Sequence, residues 1–326
     1  MSNPTRITFP EFGPPHQVVR PEAFSPRQPG PGEALVRIDA APVNPADLNF
    51  IEGTYGIKPD LPATAGLEGT GLVESIGPDV ASLQPGNRVL FLSSPGTWAT
   101  HATCSADDLL VLPPEIDPVQ AAMLKVNPMT ALRMIEDFVT LKPGDWLMQN
   151  AANSGVGQYV IQLAAAKGIK TVNLVRDTAC APTLEKLGAD LILADDDSAR
   201  DHLPGNCKPA LALNAVGGDS ATRVMGMLAP DATLVTYGAM SRKALKVPNS
   251  FLLFRNLSLQ GFWLTRWTRQ TSREQIREAY QPLAQLMAQG RLSSTVAATY
   301  PLDQAAAAVE HAARGSRGGK ITLSCA

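Results

Sequence analysis

Between a strand-like run at 145–150 and a helical pattern over 154–167 lies the segment Asn150-Ala-Ala-Asn-Ser-Gly-Val-Gly157, a turn made almost wholly of small residues. Gly168 is a helix stop, and the apolar run 170–175 is a second strand, so the segment opens a βαβ unit of about 30 residues. The alternation continues with a helix at 183–187, strands at 191–194 and 211–215, a helix at 221–228 and strands at 233–237 and 258–263. Strands alternating with helices predict an α/β fold with a doubly wound parallel sheet, a Rossmann domain. A dinucleotide pyrophosphate needs bare backbone N–H groups at a helix N-terminus, and small residues let the chain come close to it. Aligned to G-x-G-x-x-G, Ala152 and Ser154 fill the first two glycine positions and Gly157 the third. A helix-entry turn without a ligand is the alternative.

About 20 residues further on, NAD-binding domains place an acid on the ribose hydroxyls. Here Arg176 stands at that place, and a guanidinium favours a 2′-phosphate where a carboxylate would repel it. NADPH is therefore expected over NADH, although Asp177 takes the position if the strand register slips by one.

The first third is different. Short apolar runs at 34–38, 71–76 and 88–92 are bounded by Pro31-Gly32, Gly77-Pro78 and Pro85-Gly86, which suggests a β-rich, barrel-like unit. A helical stretch at 118–138 is interrupted at Pro128. A long helix is expected over 272–289, with Ile276, Tyr280, Leu283 and Met287 on one face and a kink at Pro282, and strand–helix–strand follows to the end. The expected division is a β-rich catalytic domain over 1–124, completed by 267–326, and a cofactor domain over 125–266.

With Lys+Arg 28 against Asp+Glu 30, the chain lacks the basic surplus of nucleic-acid binders. Nowhere do 18 apolar residues run together, so no membrane insertion is expected. Cys104, Cys180, Cys207 and Cys325 are too dispersed for a disulfide framework or a metal knuckle. The first residues have neither an apolar h-region nor an Arg- and Ser-rich transit pattern, which leads to the expectation of a cytoplasmic protein.

Val43-Asn-Pro-Ala-Asp47, Ala65-Gly-Leu-Glu-Gly-Thr-Gly71, Gly86-Asn-Arg-Val89 and the glycine turn occur here in the order and spacing of the medium-chain dehydrogenase/reductase superfamily, which the chain resembles along nearly its whole length. Val126-Asn-Pro-Met-Thr-Ala131, Val175-Arg-Asp177, Thr236-Tyr-Gly-Ala-Met240 and above all Gly261-Phe-Trp-Leu-Thr-Arg-Trp267 make it most similar to the mitochondrial-type trans-2-enoyl-thioester reductases. The resemblance implies a Rossmann domain beside a GroES-like barrel. Where zinc-dependent relatives carry a Cys and a Gly-His-Glu, this sequence has Asn44 and Gly66-Leu67-Glu68, and a leucine cannot ligate zinc.

For the site, the resemblance implies Tyr55 as the catalytic group, a phenol able to stabilise an enolate or protonate it. It implies Asn127 and Thr130 at the nicotinamide end and Asn153, Ser154, Gly155 and Val156 at the pyrophosphate. Arg176, Asp177 and Thr178 would lie around the adenosine phosphate, Tyr237, Gly238, Ala239 and Met240 along the cofactor, and Phe262, Trp263 and Leu264 by the nicotinamide. Lys320 matches a lysine that approaches the cofactor phosphate, and Asn44, Tyr55 and Trp263 match substrate-binding positions. The expected reaction is NADPH-dependent reduction of a trans-2-enoyl thioester, carried on coenzyme A or acyl carrier protein, in fatty-acid synthesis, by a homodimer. A zinc-independent quinone reductase and a non-catalytic NADPH sensor are the alternatives. The acids Asp195-Asp-Asp197 lack the spacing of a calcium loop and are expected to be an exposed loop, and Cys104 a buried small hydrophobe.

Overall fold

The strands of the middle third are apolar on both faces, as strands covered by helices on both sides must be: Val172, Leu174, Leu211, Leu213 and Leu234 have no exposed surface. In the computed structural model, which describes residues 3–315 and 317–326, the chain divides into two units, 1–126 with 272–326, and 127–271. The divisions fall after Val126 and after Thr271. Lys125 belongs to the first unit because the Leu67 and Ser93 carbonyls accept its amine, and Thr271 to the second because its hydroxyl donates to the Trp267 carbonyl.

The second unit is a six-stranded sheet with every pairing parallel. Its spatial order is Leu191–Ala194, Lys170–Val175, Trp146–Gln149, Leu211–Asn214, Thr233–Thr236 and Ser258–Gly261. The first strand in sequence lies third, so the order reverses between Trp146–Gln149 and Leu211–Asn214, and ligands of such sheets bind beyond the strand ends at that reversal. The last strand is shorter than the run read from sequence, ending at Gly261, and Trp263 caps the helix Leu264–Gln270.

In the first unit the strand Glu33–Val43 is central. It pairs antiparallel with Thr70–Ile76, His101–Ser105 and Lys320–Ser324, and Val296–Pro301 runs parallel to Lys320–Ser324. A second sheet joins Arg20–Ala23, Thr5–Phe9 and Ala63–Thr64. Phe9, Phe91, Trp98, Ile38 and Ile321 fill the core between them. The helix Arg273–Ala288 begins at a reciprocal Ser272/Gln275 cap and buries Ile276, Tyr280, Leu283 and Met287, the stripe its spacing predicts. It continues unbroken through Pro282, which removes one backbone donor without ending the helix.

Candidate active site

The glycine turn in the second unit is set by contacts of its own atoms. After Trp146–Gln149 the chain passes through Ala151 at φ 48° and reaches Ser154, the N-cap of Gly155–Ala166, whose hydroxyl accepts from the Gly157 N–H at 3.2 Å. A Cβ on Gly157 would lie 2.4 Å from the Ala152 carbonyl oxygen, so only glycine lets the helix approach the strand this closely. Asn153 is exposed, and Ser154, Gly155 and Val156 are partly so. The first helical amides have no partner within the helix and are directed out of its end.

A buried polar chain holds the strand ends beside this turn. Asn150 donates to Asn214 Oδ1 at 2.8 Å and to Ser220 Oγ at 2.9 Å, and its own Oδ1 accepts from the Ala215 N–H. Ser220 donates to Asp195 Oδ2 at 2.5 Å, and Arg223 covers the other oxygen of Asp195. Asn214 also donates to the Thr236 hydroxyl and accepts from the amides of Val216 and Gly217. The segments 215–218 and 237–241 are thereby zipped together, Tyr237 bonding back to Asn214, and Met240 to Ala215, through their N–H groups. Gly238 sits where a Cβ would come within 3.0 Å of the Ala215 carbonyl. Asp195 thus departs from the exposed loop expected of 195–197: its carboxylate is buried by Ser220 and Arg223, while Asp196 and Asp197 are exposed.

Arg176, Asp177 and Thr178 lie exposed just past the end of Lys170–Val175. The Asp177 carboxylate accepts from the Ala179 N–H as the cap of the following turn, so the first side chain beyond the strand is the Arg176 cation. The Tyr237 hydroxyl is enclosed and makes no hydrogen bond of normal geometry; burial pushes its ionisation up, with Ser154 opposing. Asn127 and Thr130 are buried in the first turn of Asn127–Glu136. Phe262 meets Phe138 edge-on at 6.3 Å, Arg269 lies over the Trp263 ring, and Leu264 starts the next helix. Ala239 and Met240 are exposed. A helix end built of short residues, a glycine admitting no substituent, an enclosed hydroxyl and an exposed cation past the second strand together fit a phosphorylated dinucleotide.

In the first unit Tyr55 is half-buried in the loop after the helix Pro45–Glu52. Its N–H and that of Thr54 both donate to the Asn49 carbonyl, and its ring stands edge-on to Phe50 at 6.4 Å. Two of the expected site residues, Lys320 and Asn44, lie buried against each other in the first unit. Lys320 is buried in the strand that pairs with Glu33–Val43, and its amine donates to Asn44 Oδ1. Asn44 is buried as well, its Nδ2 donating to Glu68 Oε1 at 2.6 Å.

Around that pair lies a charged cluster that sequence reading did not assemble. Glu68 Oε2 accepts from the Val126 N–H, Asp47 accepts from the N–H groups of Asn44 and Leu67, and Lys125 donates to the Leu67 and Ser93 carbonyls. Burial drives these groups toward neutrality, raising Asp47 to about 7 and lowering Lys125 and Lys320 to about 8, with Glu68 pulling both lysines back up. Glu68 is itself raised by burial, opposed first by Lys320. The available signal was a set of ionisable residues inside otherwise apolar strand-and-turn segments. Among the described residues, no three His, Cys, Asp or Glu side chains are grouped as metal ligands would be.

Two families match. One described as "Alcohol dehydrogenase GroES-like domain" covers residues 30–114, and one described as "Zinc-binding dehydrogenase" covers 155–287. The mitochondrial enoyl-[acyl-carrier-protein] reductase of Xenopus tropicalis is 40% identical over 316 residues, 93% of this chain and 90% of that protein. The human protein of the same name is 41% identical over 287 residues, 85% of this chain and 77% of the relative. Among solved structures, the mitochondrial 2-enoyl thioester reductase heterodimer of Candida tropicalis matches with a TM-score of 0.91 at 26% identity, over 99% of this chain and 100% of that one. The Escherichia coli quinone oxidoreductase complexed with NADPH matches at 0.87 and 28%, over 98% and 99%. Relatives from animals, a plant and an amoeba are all named mitochondrial, which overturns the expectation of a cytoplasmic protein.

Proposed function

The chain belongs to the medium-chain dehydrogenase/reductase superfamily, among its mitochondrial-type enoyl-thioester reductases, and from that premise we propose that it reduces trans-2-enoyl thioesters to acyl thioesters with NADPH, in fatty-acid synthesis. The observation that carries this is identity near 40% along almost the whole of both chains to enoyl-[acyl-carrier-protein] reductases. A solved relative, Etr1p, is described in complex with NADP and crotonyl-CoA, which supports both the cofactor and the substrate class. Solved quinone reductases share the fold at similar TM-scores, so fold alone does not separate the two chemistries.

Bound NADPH supplies a hydride for the β-carbon of the substrate. The residues of the chain then have three tasks. The turn Asn153–Val156 binds phosphate through the free amides of its helix start, and the Arg176 guanidinium donates to the 2′-phosphate. The Tyr55 phenol donates to the thioester oxygen as negative charge develops there, and the α-carbon takes the balancing proton from Tyr55 or water. Asn127, Thr130, Tyr237 and Trp263 orient the nicotinamide and acyl ends. The carrier is coenzyme A or acyl carrier protein. A homodimer is proposed through the free edge Ser258–Gly261, next to which Leu253 and Phe254 are 74% and 83% exposed.

The test follows NADPH oxidation with trans-2-butenoyl- and trans-2-hexenoyl-coenzyme A beside a benzoquinone, with NADH as the parallel donor. Rapid enoyl reduction with NADPH is expected, and Tyr55→Phe should lower kcat about 100-fold while NADPH binding holds. Turnover of the quinone without enoyl reduction would overturn the proposal, and NADPH binding with no turnover would leave the sensor reading.

A further inference from the structure

We propose that Lys320 and Glu68 are positioning residues for Tyr55, acting through the Asn44 amide and the helix that Asn44 begins. What Tyr55 does rests on the thioester-reductase reading; the positioning rests on geometry within the first unit.

Asn44 is held from both sides of its amide. Lys320 donates to Oδ1, and Nδ2 donates to Glu68 Oε1, whose partner oxygen is anchored on the Val126 N–H at 2.8 Å. The same helix is pinned by Asp47, which accepts the Asn44 N–H at 2.8 Å and the Leu67 N–H at 2.9 Å. Both ends of Pro45–Glu52 are therefore defined. Its first turn is clasped in the charged cluster, and its last passes through Gly53 at φ 74° directly into Thr54 and Tyr55, whose amides are tied to Asn49 at 2.9 and 3.0 Å. Phe50 packs edge-on to Tyr55 on one side and to the fully enclosed Phe9 on the other.

No flexible linker separates clasp from phenol. Eight helical residues span about 12 Å, so a tilt of about 5° at the clasp displaces the far end by about 1 Å. A displacement of that size at a reacting group costs about 100-fold in rate. Ionic groups this deep add little net stability over apolar replacements, but a clasp built from them accepts one arrangement, which is what placing a catalytic phenol requires.

The experiment uses the full chain, with Lys320→Met, Glu68→Gln and Tyr55→Phe made singly and in pairs. Each of the first two should lower kcat on trans-2-butenoyl-coenzyme A about 10- to 100-fold and leave the NADPH Kd within about twofold. In the Tyr55→Phe background each should cost less than about threefold more, because the group they position is gone. Amide hydrogen exchange at Thr54 and Tyr55 should speed up about tenfold or more in Lys320→Met, with rates in the helix Gly155–Ala166 unchanged. Losses that multiply in the double variants overturn the proposal, as does a raised NADPH Kd at unchanged kcat, which would put Lys320 on the cofactor. If Lys320→Met does not fold, the charge-balanced pair Glu68→Gln/Lys320→Met carries the same expectations. A wild-type protein inactive on enoyl thioesters refutes the functional reading alone; exchange at Thr54 and Tyr55 then decides the positioning, and unchanged rates there overturn it.

Discussion

Replacing Gly157 with alanine puts a methyl carbon 2.4 Å from the Ala152 carbonyl oxygen and 2.7 Å from the carbonyl carbon and Cα of the same residue. Ordinary contact begins near 3.4 Å, so helix and turn must separate by about 1 Å, and the obstructing atoms are backbone, which cannot rotate away. The separation pulls on the Gly157 N–H bond to Ser154 Oγ and on the Gln149 Nε2 bond to the Gly157 carbonyl. Overpacking of this kind costs about 1–3 kcal/mol, and a lost N-cap about 1 kcal/mol more. At roughly 2–4 °C per kcal/mol for a unit of this size, the melting temperature should fall by roughly 5–15 °C. Losing one charge-assisted amide contact to phosphate should weaken NADPH binding about 10- to 100-fold. Circular-dichroism melts and a fluorescence titration with NADPH measure both. A variant melting within about 2 °C of wild type and binding NADPH equally well would refute the argument that this approach is obligatory for the fold and the cofactor.

Arg176→Ala should raise the NADPH Kd about tenfold and leave the NADH Kd within about twofold, since only the 2′-phosphate sees the guanidinium; equal losses for both cofactors in parallel titrations would contradict this. Leu253→Glu/Phe254→Glu should convert a dimer to monomer in light scattering with each unit still folded, and an unchanged mass would move the interface elsewhere. The Arg27 guanidinium, joined by the Gly30 N–H, holds Glu33 down to about 2. A carboxylate depressed by folding adds stability above its ordinary range near 4.5 and loses it as pH falls toward 2. Glu33→Gln should therefore lower the melting temperature at neutral pH, leave it close to wild type toward pH 2, and so flatten the drop between those values; melts in parallel at neutral and acid pH that show no loss at neutral pH would refute this.

What sequence could reveal was what depends on neighbours along the chain. The placement of Ser154 and Gly157 follows from strand, turn and helix within a dozen residues, and the buried stripe of Arg273–Ala288 from its own period. The clasp on Asn44 was not legible, because its partners come from positions 68 and 320 and meet only when the strand Lys320–Ser324 enters the sheet. Matching Lys320 to a family position identified the residue but not the surroundings that tertiary burial gives it. Asp195 failed for the same reason: in a run of three acids nothing local marks the one that Ser220 and Arg223 will cover. Leu252, Leu253 and Phe254, apolar though they are, lie at the surface, and no pattern along the chain marks them for it.

The pairing of Lys320–Ser324 with Glu33–Val43 has a consequence for synthesis. The second unit is one continuous stretch and has all six strands once residue 261 has left the ribosome. The first unit at that moment still lacks Val296–Pro301 and Lys320–Ser324, and the exposed flank of Glu33–Val43 must wait through most of translation for its neighbour. Domains complete themselves as their sequence emerges. Completeness therefore runs against the order of sequence: the inserted unit has all its strands before the unit that begins the chain does. A nascent chain stalled before residue 320 would carry a finished nucleotide-binding unit joined to an open sheet edge, a surface that chaperones would need to cover until the closing strand arrives.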